Sequence, residues 1–131
     1  MIKHSNGFTV IEILFAVLLI GLASVLFFTQ KNDLKVLNRD NTKKTSINAM
    51  YYNLEEVFYP ANKFYPQAIN SDNLKAVDPA LFTDMNGVKV GDAGSIYTYS
   101  PTNCVDNKCK GYTLKSTLEN EADYVKNNRN N

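Results

Sequence analysis

Residues 8–28 read F-T-V-I-E-I-L-F-A-V-L-L-I-G-L-A-S-V-L-F-F, apolar except for Glu12 and a few small hydroxyl side chains. As a helix this run would extend about 31 Å at about 1.5 Å per residue, enough to cross a bilayer core. Residues 29–58 turn polar but keep helix-forming character, with no proline before Pro60. In that half Ile47, Met50, Tyr51, Leu54, Val57 and Phe58 recur at helical spacing and predict one buried face. Leu34 and Leu37 extend the stripe weakly, and residues 39–46 are almost wholly polar. The pattern therefore predicts one continuous helix over residues 9–58, stopped by Pro60 and Pro66. A short helical stretch is expected within residues 71–82, with Ser71 or Asp78 as cap and Pro79 at a first helical position.

Beyond Gly87 the period changes from helical to alternating. Tyr112, Leu114, Ser116 and Leu118 alternate with Thr113, Lys115, Thr117 and Glu119, the signature of a half-buried strand, and residues 94–100 supply a β-branched and aromatic partner. These form an antiparallel hairpin across a loop at residues 101–111. Residues 88–90 and 124–125 are candidate edge strands, and residues 126–131 read as a frayed, solvated tail. The fold class is α+β: one long N-terminal helix, half hydrophobic and half amphipathic, packed on a small antiparallel sheet in a head at residues 59–131.

At 131 residues the chain has room for one small core. The formal charge is +1, and without residues 1–7 the count is 13 basic against 13 acidic, so no bulk attraction toward nucleic acid remains. Cys104 and Cys109 are far from any second ligand cluster, which argues for a local disulfide rather than zinc and agrees with an extracytoplasmic head. The sole histidine is His4. There is no Gly-rich phosphate loop, H-E-x-x-H or G-x-S-x-G, so no catalytic residue, cofactor or metal is assigned, and the chain reads as a non-enzyme.

Glu12 is the exceptional residue of the apolar run. An ionisable side chain there costs up to roughly 2.5–3.5 kcal/mol at a bilayer centre, so it calls for a partner. Read locally, Thr9-x-x-Glu12 is a capping box. With Gly7 and Phe8 in front, G-F-T-V-I-E resembles the processing motif of type IV prepilins, competence pseudopilins and type II secretion pseudopilins. The close resemblance covers residues 3–30 and continues loosely through Tyr65-Pro66, the small sheet and the C-terminal cysteine pair.

The resemblance implies a leader at residues 1–7, cleavage between Gly7 and Phe8 by a prepilin peptidase, and N-methylation at Phe8. It further implies assembly into a homopolymeric surface filament by a platform membrane protein and an extension ATPase, with minor pilins as further partners. Before assembly the subunit would be a single-pass protein of the cytoplasmic membrane, afterwards part of an extracellular filament for adhesion, twitching, DNA uptake or secretion. Cleavage would create an amine on Phe8, and Glu12 would neutralise it, within one chain or between neighbours, and set each subunit's register.

Other readings stand beside this one. They are a minor pilin or pseudopilin, a non-polymerising signal-anchored domain, and a signal peptide cut near Gly21-Leu22-Ala23. Residues 84–92 offer oxygen ligands resembling a calcium loop, although the alternating acids of an EF-hand are absent. Lys108, Lys110 and Lys115 beside Tyr112 offer a DNA contact, which a solvated polar rim explains more simply.

Overall fold

The computed structural model describes residues 7–129; residues 1–6 of the expected leader and 130–131 of the expected tail lie outside them. The chain forms two compact units, residues 7–36 and 37–129, with helix α1 (Val10–Asn53) running through both.

In the first unit α1 is a plain apolar helix, and residues 10–31 are all exposed. Its hydroxyls are satisfied internally: Ser24 donates to the Ile20 carbonyl at 2.7 Å and Thr29 to the Leu26 carbonyl at 2.9 Å. Such back-bonding lets polar side chains sit on a helix that water need not reach. This helix is long and apolar enough to cross a membrane, with a mean hydropathy of 2.8 over its most apolar window.

In the second unit α1 packs on an antiparallel sheet. The helix does not stop before Pro60. It widens into a π-helical segment (Leu54–Phe58), where the Tyr59 N–H reaches the Leu54 carbonyl, and continues as α2 (Tyr59–Asn62). Pro60 lacks an N–H and its ring crowds the preceding turn, and the wider segment accommodates both without ending the helix. The end comes at Lys63, whose left-handed φ of 63° turns the chain while its N–H bonds the Tyr59 carbonyl at 2.7 Å.

Strand β3 (Lys108–Ser116) is the centre of the sheet. Strand β2 (Tyr97–Val105) pairs along one edge, while β1 (Tyr65–Pro66) and β4 (Tyr124–Asn127) share the other. The expected hairpin is present, but its strands run through most of the expected loop. Only Asp106 and Asn107, at φ of 49° and 63°, make the turn. Two successive positive φ values match the right-handed strand twist, and Asp and Asn tolerate them. Tyr112, Leu114 and Ser116 face inward, against Tyr97 and Tyr99 of β2 and Ile47, Met50, Tyr51 and Leu54 of the helix.

Four other expectations are corrected. Residues 71–82 hold only a 3-10 turn (Pro79–Phe82); Asp78 caps it by accepting from Ala80 N at 2.9 Å, and Ser71 caps nothing among the described residues. Residues 88–90 form no strand, only an isolated Thr83–Lys89 bridge. Val57 is exposed because the π segment rotates the face the 3.6 period had predicted. Lys126 and Asn127 belong to β4, and Arg129 is held by Tyr51 and Glu56, so this part of the tail is docked.

Candidate functional site

Gly7, Phe8 and Thr9 are exposed and precede the helix, whose first bonds run from Glu12 N and Ile13 N to the Thr9 carbonyl at 3.0 and 3.1 Å. Among the described residues no side-chain bond of a capping box joins Thr9 and Glu12. Glu12 is therefore a carboxylate on an apolar helix with no side-chain partner among the described residues. A Cβ on Gly7 would meet nothing within 4 Å, so the glycine is not demanded by packing. The structure thus places Gly7, Phe8 and Glu12 at the exposed start of the apolar helix.

The head carries a second constellation that hydrophobic periodicity passed over. Asp40, Lys43 and Ser46 are buried on the stripe that Ile47, Met50 and Leu54 continue. Asp40 accepts from the backbone N–H of Glu119 and Asn120 at 3.0 and 3.1 Å and from Lys43 Nζ at 3.0 Å. Glu119 in turn accepts from Lys43 Nζ and from Arg39 Nε, each at 2.9 Å. Burial opposes ionisation of Asp40, but the two N–H groups and Lys43 outweigh it and hold its pKa below the usual value. The hydrogen bonds from Arg39 and then Lys43 bring Glu119 from 4.5 to about 2. Lys43 is raised, its desolvation being outweighed by Glu119 and Asp40. This clasp ties the helix to the segment after β3. The i,i+3 pairing of Asp40 with Lys43 was visible in the chain, but its third member is 79 residues away.

Further along the helix Glu55 is buried in the π segment, accepting from the hydroxyls of Tyr112 at 2.8 Å and Tyr65 at 3.1 Å. Burial pushes the Tyr112 hydroxyl up, and its bond to Glu55 adds to the shift, so it stays a donor. Helix, β1 and β3 therefore meet on one carboxylate.

Cys104 and Cys109 face each other across β2 and β3 and are joined by a disulfide. In the segment read as resembling a calcium loop, backbone N–H groups occupy the one buried carboxylate. Asp84 is buried, with its oxygens accepting from Asn86 N at 2.8 Å, Val88 N at 2.9 Å and Ile96 N at 3.0 Å. Those bonds outweigh its desolvation and lower its pKa, and no acidic, cysteine or histidine group among the described residues is arranged to hold a metal. Of the residues grouped for a DNA contact, Tyr112 is buried and Lys115 pairs with Asp123 at 3.0 Å.

Comparison with family models, with curated proteins and with solved structures found no match to any of them.

Proposed function

We propose that the chain is a structural subunit of a type IV pilus-like surface filament, cleaved after Gly7, N-methylated at Phe8 and polymerised through its apolar helix. The observation that carries this reading is Glu12: the only charged side chain in residues 8–30, four residues after Phe8, on a helix with no protein cover. In a lone membrane anchor that carboxylate is a pure cost. In a bundle of cleaved subunits it neutralises the amine that processing creates. A flexible glycine before the cut suits a protease that binds an extended chain. Membrane, prepilin peptidase, platform protein, extension ATPase and further copies of this chain are the partners this requires.

The test compares wild type with Glu12→Ala in the native cell, measuring cleaved subunit in membranes and filaments sheared from the surface. Intact mass should place the mature terminus at Phe8 with one added methyl group. The variant should insert and be processed normally, while filament yield falls at least about tenfold, the scale expected when a buried charge loses its partner. Normal filament yield from Glu12→Ala would defeat the assembly role, and a chain beginning at Ser24 would establish an ordinary signal peptide instead.

A further inference from the structure

Beside the tip of the β2–β3 hairpin lies a concavity of about 510 Å³, within the roughly 300–1,000 Å³ of small-ligand sites. Tyr59 and Phe64 form its aromatic wall. Both rings are braced from behind: Tyr59 stacks on Tyr65 with centroids 4.7 Å apart, and Phe64 meets Phe58 edge-on at 5.8 Å.

Three lysines line this hollow. Lys108 and Lys110 come from β3, and Lys63 arrives from the left-handed turn that ends the helix. Among the described residues none of the three forms a salt bridge, whereas Arg39, Lys43, Lys44, Lys115 and Arg129 all do. The cations of this unit thus divide into those that form ion pairs and those that form none among the described residues, and half of the latter line this hollow. Asp106 is the one acid lining the hollow, so its local balance is positive.

We propose that this hollow binds an acidic saccharide unit, a sugar ring bearing a carboxylate or sulfate. The three lysines supply the counter-charge as compact point charges. Asn103 and Asp106, held at left-handed φ of 53° and 49° in and beside the turn, add an amide and a carboxylate suited to ring hydroxyls. Tyr59 offers a rigid face for the apolar side of the ring. A single strand of nucleic acid fits less well. It needs successive open aromatic platforms, but Lys108 Nζ already covers Phe64 at 5.4 Å and Tyr65 covers one side of Tyr59. Asp106 would also repel a run of phosphates.

The inference does not rest on the filament reading, and its test uses the full chain in detergent micelles. The probe is a chondroitin sulfate disaccharide, titrated calorimetrically at about 50 mM salt, where exposed charges are weakly screened. Lactose and a thymidine 12-mer serve as comparisons. Lys63→Gln/Lys108→Gln should weaken disaccharide binding at least about tenfold. Lys75→Gln/Lys89→Gln, an equal loss of charge at exposed lysines elsewhere on the head, should change it less than about twofold, and lactose should bind at least about tenfold more weakly than the acidic sugar. Thermal melts of both variants control for folding. Equal weakening in the two variants, no binding of the acidic disaccharide, or tighter binding of the thymidine 12-mer would each overturn the proposal.

Discussion

Asp40 ends three donors at once, and a neutral side chain there would leave Lys43 and two backbone N–H groups short of an acceptor. Hydrogen bonds to charged groups are worth about 1.5–3 kcal/mol, so Asp40→Asn should destabilise the head by about that amount at neutral pH, read from urea unfolding of the full chain in detergent. The same residues set a pH dependence. Asp40, Glu119 and Asp84 have folded pKa values below their ordinary ones. Groups depressed on folding contribute stability that is complete above the unfolded pKa and is lost as pH falls through the folded one. For Glu119 that window runs from 4.5 down to about 2. The melting temperature followed by circular dichroism should stay level from pH 7 to 5 and fall below it. Glu119→Gln should flatten part of the fall, and an unchanged slope would show that the Arg39 and Lys43 pairs do not govern it.

Among the elements, the β2–β3 hairpin is secured twice, by its two-residue turn and by the bridge beside it. Closing so short a loop contributes about 2 kcal/mol in the chain-entropy model. The pairing runs on from the Cys104–Cys109 position to Tyr97 opposite Ser116, and the core lies along that inner length. Cys104→Ser/Cys109→Ser should therefore lower unfolding free energy by about 2 kcal/mol while keeping the native circular dichroism spectrum. Unfolding of the whole head on reduction would assign the bridge a larger part. Strand β4 is seated differently, by close approach. A Cβ on Gly111 would lie 2.7 Å from Asn128 Oδ1, the atom that accepts from Tyr112 N at 3.1 Å. Glycine at this site leaves room for the C-terminal segment to lie against β3.

At the scale of the whole molecule, the two units draw stability from different surroundings. Residues 10–31 contribute nothing to the buried core, which begins on the helix at Asp40 and is completed by the sheet. Removing residues 1–28 should therefore yield a soluble, folded head that melts within about 3 °C of the detergent-solubilised full chain, as expected when only uncovered residues are lost. A drop well beyond that would reveal a dependence of the head on the apolar helix.

The α+β plan, the single apolar helix, the β2–β3 pairing and the cysteine bridge were all legible in the chain, because each rests on local periodicity or on close spacing. Gly7, Phe8 and Glu12 stood out for the same reason, falling within six consecutive positions at the head of an apolar run. Folding alone decided how residues distant in sequence were used. The polar segment at residues 39–46 showed no buried face because periodicity counts only apolar side chains; Asp40 and Lys43 are buried because Glu119, far along the chain, meets them. Pro60 looked like a stop because its clash is local, but packing of Leu54 and Glu55 on the sheet keeps the helix going through a wider turn. Lys63 joined Lys108 and Lys110 only when a left-handed cap brought the helix end to the hairpin. Short-range patterns reveal which elements form, whereas charge compensation between distant residues is settled only when those elements pack.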